Sequence, residues 1–235
     1  MPQYTTKSIT NRFILFSEQK LLPFLNKYKK KIFWAVFSIF LVGFSVLAAY
    51  VMLTEPHYID VHISEEIQEK QNGFLDSFMK AVSWFGRIRV SAVLIGCSTI
   101  LFLLLKRKKD ALLMLSTLIS GGIAWVLKTL INRPRPTKDF VSILEETHYQ
   151  SFPSGHVLFY TVFFGALIFI LLRTIKKYPL LKISGILICL AMIFLGAVSR
   201  VYLGAHWFTD VLGGFMVGII FLLIAGNIYF QDSKT

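Results

Sequence analysis

The apolar positions of this chain fall into six long runs separated by short polar breaks, with little of the narrow striping that marks surface helices of a soluble domain. The runs cover residues 32–54, 90–105, 111–131, 157–172, 180–198 and 207–230. A helix needs about 20 apolar residues to cross the hydrocarbon core of a bilayer, and lipid offers no partner to an exposed backbone amide or carbonyl. Each run is therefore predicted to be a membrane-spanning helix, and the chain an all-α integral membrane bundle of six transmembrane helices. The second and fourth runs are short for a crossing, so they are expected to draw on their flanks or to sit where the bilayer is thinned.

Between the first two runs the pattern changes. Phe74, Leu75, Phe78, Met79, Val82 and Phe85 recur at helical spacing, with Lys80 and Arg87 on other faces. This predicts an amphipathic helix at the outer interface within an external loop, residues 55–89, that either walls an acyl-chain entrance or packs on neighbouring spans. The first 31 residues are polar and basic, with short apolar stretches at 13–16 and 21–25 interrupted by Pro23. They read equally as an interfacial helix or as a loosely ordered tail. The first run starts too late and is too long for a cleavable signal, so it is expected to remain as a helix.

Charge then orients the bundle. The formal net charge of +12 by itself suggests a nucleic-acid binder, but its distribution argues otherwise. Lys7, Arg12, Lys20, Lys27, Lys29, Lys30 and Lys31 precede the first run, Lys106, Arg107, Lys108 and Lys109 join the second to the third, and Arg173, Lys176, Lys177 and Lys182 join the fourth to the fifth. These are alternate connections, and the positive-inside bias assigns them to the cytoplasm with both termini. The expected organisation is a cytoplasmic segment 1–31, one membrane domain 32–230 and a cytoplasmic tail 231–235. Cys97 and Cys189 fall within apolar runs and read as inert thiols rather than a disulfide or zinc framework.

Three polar clusters interrupt the apolar pattern, all at the face predicted to be external. The first is Lys128 with Arg135 and Pro136; two prolines one residue apart end the helix and hold Arg135 on an extended path. Lys128 and Arg135 then either meet at one anion or simply reach to the interface and its headgroups. The second is Pro153-Ser154-Gly155-His156 leading directly into an apolar run. Ser154 is placed as an N-cap, Gly155 admits close approach to the backbone, and the helix start offers unpaired N–H groups to an anion, although turn chemistry alone also accounts for the tripeptide. The third is Ser199-Arg200 followed by His206 and Asp210, four apart and so on one face of a helix. A carboxylate among Trp207, Phe208, Val211 and Leu212 needs a partner, and His206 is the available one, for a structural bond or for chemistry.

Lys128-x6-Arg135-Pro136, Pro153-Ser154-Gly155-His156 and Ser199-Arg200-x5-His206-x3-Asp210 resemble the complete three-part signature of the type 2 phosphatidic acid phosphatase superfamily, which also includes vanadium-dependent haloperoxidases. The membrane spans set the soluble haloperoxidase branch aside. The resemblance implies a six-helix membrane core and metal-independent hydrolysis of phosphate esters, with no cofactor. It makes His206 the nucleophile, Asp210 its orienting carboxylate and His156 the general acid and base. Lys128, Arg135, Ser154, the Gly155 N–H and Arg200 become the phosphate clamp. A bell-shaped pH–rate profile is expected from the paired histidines.

The remaining carboxylates form no convincing metal-ligand motif. Six spans, short loops and an external site resemble bacterial plasma-membrane members acting on undecaprenyl pyrophosphate or phosphatidylglycerophosphate. The external site favours undecaprenyl pyrophosphate, with phosphatidic acid and other lipid phosphates also open. The expected partners are the lipid substrate and the bilayer, not nucleic acid. A reading from another class, a phospholipid-binding or transport protein using the same cations without hydrolysis, finds no internal repeat or broken span in the sequence to support it.

Overall fold

The computed structural model describes residues 22–53, 58–147 and 149–231, and every regular element among them is a helix. In chain order these are α1 (Leu22–Leu53), α2 (Tyr58–Gln68), α3 (Gly73–Trp84), α4 (Ile88–Leu104), α5 (Lys108–Ser116), α6 (Ile119–Ile131), α7 (Gly155–Thr174), α8 (Pro179–Tyr202) and α9 (Phe208–Gln231). Among the described residues, five stretches are long and apolar enough to cross a membrane, α5 and α6 counting together as Lys108–Ile131; there are six if α3 and α4 form one broken span.

The chain divides between Ile39 and Phe40 into two units. In the first, α1 carries Phe33 stacked on Phe37 with ring centroids 6.1 Å apart, and Phe33 edge-on to Trp34 at 5.3 Å. The described part of this helix already runs from Leu22, ahead of residue 32, so positions 22–31 continue into the span and are neither a separate interfacial element nor a loose tail. The lysines at 27 and 29–31 are good helix formers. Residues 1–21, Thr54 and the expected tail from 232 onward lie outside the described residues.

In the second unit α7 is the central element, packing most extensively on α8 and α9. Val157, Leu158, Tyr160, Val162 and Ala166 are fully buried there, while Leu104 on α4 and Leu180 on α8 are 75% and 77% exposed. An apolar outer surface on a helical bundle is what a hydrocarbon solvent selects. Cys97 is exposed, Cys189 is buried, and both are free thiols.

Three features depart from the sequence expectation. The run at 111–131 is two helices, because Ser116, Thr117 and Ser120 each turn their hydroxyl onto the carbonyl three residues back. The amides of Thr117, Leu118, Ser120 and Gly121 do the same, tightening the chain into a 3₁₀-like turn. The residues expected to form an amphipathic interfacial helix lie in α3 and run into a bend, α3 being N-capped by Asn72, whose side chain accepts from the Leu75 N–H at 3.0 Å. This helix meets α4 at a 54° bend and packs Met79 against Tyr202 and Leu203 at the end of α8, while Phe74 is 82% exposed. The third is α2, which apolar periodicity did not predict because the face it buries carries Asp60 and Ser64.

The antiparallel run of the spans brings the C-terminal ends of α6 and α8 and the N-terminal ends of α7 and α9 to one end of this unit. The opposite end holds a basic cleft of about 460 Å³ lined by Lys106, Arg107, Lys108, Lys109 and Arg173, with Asp110 bonded to Arg107 and Tyr229.

Candidate active site

The last turn of α6 carries Lys128, and the helix stops at Ile131 because Asn132 takes the left-handed conformation (φ 50°, ψ 38°) and returns its N–H to the Lys128 carbonyl at 2.9 Å. Pro134 and Pro136 then keep the chain extended. The ammonium of Lys128 donates to the carbonyls of Gln150 and of Ser151, the latter at 3.0 Å. Arg135 donates to the carbonyls of Tyr149 and Ala205, and its Nη1 stands 3.3 Å from Nε2 of His206. Burial and then the charge of Arg200 push the Arg135 guanidinium down to about 10, which still leaves it charged at neutral pH.

Ser154 caps α7 as expected, its Oγ accepting from the Val157 N–H at 3.5 Å while its own N–H donates to the Asp210 carbonyl at 3.0 Å. Gly155 follows at the first helical position, where backbone N–H groups have no partner within the helix. A methyl built on it meets nothing closer than 3.9 Å, one of the nearest atoms being Cε of Lys128. His156 is next, and its Nε2 is shielded and has no hydrogen-bond partner. The α3–α4 bend lies directly on this ring: a Cβ on Gly86 would fall 2.4 Å from the imidazole Cδ2.

Arg200 is completely buried in the last turn of α8. Its Nη1 is held by Ser83 of α3 and by Glu145 at 3.0 Å, while Nε and Nη2 are shielded without partners. Burial works to raise the Glu145 carboxyl, but Arg200, the Ser83 hydroxyl and Arg87 outweigh it and hold it below the usual carboxylate range. A cleft of about 190 Å³, lined by Arg135, Pro136, Lys138, Glu145 and Gly204 among others, opens beside these cations.

His206 and Asp210 do meet, though not as two residues of one helix. α9 starts at Phe208, so His206 precedes it. Asp210 reaches back to accept the Trp207 N–H at 2.8 Å, and this half of a capping box brings Oδ2 to 3.3 Å from Nδ1 of His206. Nor is His206 the only partner of this carboxylate: Oδ2 also accepts from the Ser151 hydroxyl, and Oδ1 from Arg133 at 2.7 Å. A carboxylate only accepts, so Nδ1 of His206 carries the proton and Nε2 keeps its lone pair on the side of Arg135. Burial, then Arg135, Lys128 and Arg200, push the His206 imidazole well below its ordinary range, so it is neutral at neutral pH.

The turn delivering His206 depends on Gly204, whose φ is +65° and whose Cβ would lie 2.1 Å from the Ser142 carbonyl oxygen. Gly204→Ala is expected to lower the unfolding free energy by about 2 kcal/mol or more, read as a fall in thermal midpoint in detergent.

All eight residues singled out in the sequence thus lie at the same end of the unit. Sequence reasoning missed Arg133, Asp60, Ser151, Glu145 and Ser83. Arg133 lies inside the spacer between Lys128 and Arg135 and is 2% exposed, so it is not a headgroup-binding surface arginine. Asp60 and Glu145 read as ordinary loop acids, and no period marks an isolated buried carboxylate. Among the described residues, no group of three or more His, Cys, Asp or Glu side chains is disposed to hold a metal.

Fold and site together define a helical, multi-pass membrane phosphatase. The chain belongs to the PAP2 superfamily, which its residues 109–234 match, in the branch of membrane-associated lipid phosphatases. Phosphatidylglycerophosphatase B of Bacillus subtilis is 31% identical over 196 residues, 80% of this chain and 92% of that protein. The crystal structure of a transmembrane PAP2-type phosphatidylglycerolphosphate phosphatase from Bacillus subtilis aligns with a TM-score of 0.75 at 25% identity, covering 84% of this chain and 98% of that one. YbjG of Escherichia coli, named as a proposed undecaprenyl-diphosphatase, is 32% identical over 113 residues, 47% of this chain and 52% of that protein.

Proposed function

We propose that this protein removes phosphate from a membrane lipid at the external face of a bacterial plasma membrane, without a metal, through a phosphohistidine on His206. The observation that carries this reading is the orientation of His206: Nδ1 is turned to Asp210, and Nε2 faces the guanidinium of Arg135 at 3.3 Å. The lone pair is thus aimed where a cation would hold a phosphate oxygen.

In the proposed reaction Nε2 of His206 attacks phosphorus while His156 gives its proton to the departing lipid oxygen. Water then attacks the phosphohistidine, returning a proton to His156, and inorganic phosphate leaves with His206 restored. Lys128, Arg135, the free edge of Arg200, Ser154 and the Gly155 N–H clamp the equatorial oxygens as charge builds on them. The partnerless Nε2 of His156 and Nε and Nη2 of Arg200 support these roles, since buried polar groups are ordinarily satisfied.

The topology proposed with this function has six crossings, α3 and α4 counting as one broken span, with α3 at the outer interface. The basic cleft opposite the site supports cytoplasmic placement of that end, hence of both termini, with 1–31 and 231–235 as cytoplasmic segments around a membrane domain at 32–230.

Two lipids are proposed as substrates. Phosphatidylglycerophosphate is supported by similarity along nearly the whole of the Bacillus subtilis relative. Undecaprenyl pyrophosphate, the expectation from sequence, is supported by the shorter match to YbjG. Purified protein in excess chelator is expected to release inorganic phosphate from one or both at its untreated rate, and His206→Ala is expected to release none. Chelator sensitivity would contradict the metal-free mechanism, equal release by parent and variant would contradict the role of His206, and no release by the parent would favour a binding or transport protein. Rates on the two lipids and phosphatidic acid, measured side by side, decide the substrate.

A further inference from the structure

Asp60 and Arg133 have no part in the reaction described above, yet their side chains are both 0% exposed beside the site. Nη2 of Arg133 donates to Oδ2 of Asp60 at 2.7 Å, and its Nη1 donates to Oδ1 of Asp210 at 2.7 Å and to the Thr209 hydroxyl at 2.7 Å. Asp60 also accepts the backbone N–H and the hydroxyl of Thr209, each at 2.8 Å. Burying three charges costs several kcal/mol per ion, and apolar residues of similar volume would anchor α2 at least as well. The arrangement has a second property that apolar packing lacks: it fixes the direction of the carboxylate that meets His206.

We propose that Asp60 and Arg133 are positioning residues for the hydrolysis. Arg133 pins Oδ1 of Asp210 so that Oδ2 is presented to Nδ1 of His206, and Asp60 orients Arg133 and balances its charge. This rests on His206 being the nucleophile. A carboxylate held by a guanidinium on one oxygen, and by the Ser151 hydroxyl and Trp207 N–H on the other, is fixed in direction. It orients the imidazole and supports positive charge developing on it.

The device also makes α2 part of the catalytic end. Gln68 of α2 donates to the carbonyls of Ser142 and Tyr202, and Gln71, just beyond it, to Tyr202, tying the same segment to the turn that leads to His206.

The electrostatic role has a signature that a structural staple lacks. The charged and titratable groups disposed around His206 are Lys128 from α6, Arg133 and Arg135 from the loop after it, His156 from α7, Arg200 from α8, Asp210 from α9 and Asp60 from α2. Deleting a cation from this set makes His206 easier to protonate; deleting an anion makes it harder. Arg133→Gln and Asp60→Asn should therefore shift the acid limb of kcat/KM in opposite directions, although both weaken the same buried network.

The experiment is the pH dependence of kcat/KM for the full-length protein in detergent, with short-chain phosphatidic acid as probe substrate and a thermal melt of each variant. Arg133→Gln is expected to raise the acid limb by about 0.5 to 1 pH unit, and Asp60→Asn to lower it by a similar amount. Arg133→Lys should return it to the parental position. A folded Arg133→Gln protein with an unmoved limb, or two single variants whose limbs move the same way, would overturn the proposal.

If a single variant does not accumulate, the double variant Asp60→Asn with Arg133→Gln removes both charges and keeps two amides able to pair. The proposal then requires a near-parental limb with a reduced kcat, and a double variant at the parental rate overturns it. Failure of the parent chain to form a phosphoenzyme would instead strike the nucleophile assignment, which is measured separately.

Discussion

His206→Ala is expected to lower kcat for lipid phosphate hydrolysis by at least ~10⁴-fold, because the variant has no group to receive the phosphoryl and only the clamp remains. The protein should stay folded. The carboxylate that His206 touches keeps its bonds to Arg133, the Ser151 hydroxyl and the Trp207 N–H, so the turn into α9 is still capped. Substrate binding should persist as well, since Lys128, Arg135 and Arg200 are unchanged. Steady-state phosphate release and a lipid-binding titration on the same preparation check both halves, and a variant with more than a few per cent of parental activity would contradict the role given to His206.

The second large effect is expected at His156. With alanine there, cleavage of a lipid phosphate should slow by about 10² to 10⁴ in kcat, the usual cost of losing a general acid or base. The loss should depend on the leaving group. An aryl phosphate departs without needing a proton, so its phosphoenzyme should form at a rate close to the parent's and then accumulate, because no base activates the water that clears it. A burst of aryl alcohol followed by slow turnover is the expected trace; an equal loss on both substrates with no burst would remove His156 from acid–base duty. The packing of Gly86 against the imidazole makes this ring part of the α3–α4 bend, so a thermal melt should accompany the kinetics.

Most of the span pattern was legible because lipid-facing helices are apolar around most of their circumference, and five of the six expected runs correspond to single helices with shifted ends. The break at Thr117 and Leu118 escaped because serine and threonine hydroxyls reach their own backbone without interrupting hydrophobicity. α2 escaped for the opposite reason: its buried positions are polar, so the rule that apolar spacing marks the inward face points the wrong way.

At the site, the histidines, cations and Ser154 were readable because each sits at a helix end where a polar residue interrupts an apolar run. What spacing did not carry is the wiring. His206 and Asp210 were assigned to one helical face, whereas their contact is made by a cap at the start of α9. The main charge partner of Asp210, Arg133, is recruited from 77 residues away in the chain. Long-range pairing of buried charges leaves no local trace in a sequence, which is also why Glu145 and Ser83 around Arg200 came into view only with the fold.

The central claim is that phosphate passes through His206. Its most direct test is to mix the purified protein in excess chelator with ³²P-labelled lipid phosphate, quench with base within a single turnover, and map the labelled peptide. An acid-labile, base-stable label is expected on the peptide carrying His206, formed and lost at rates that match turnover and absent from His206→Ala. Label on any other residue, or full turnover with no phosphoenzyme at any time, would contradict it.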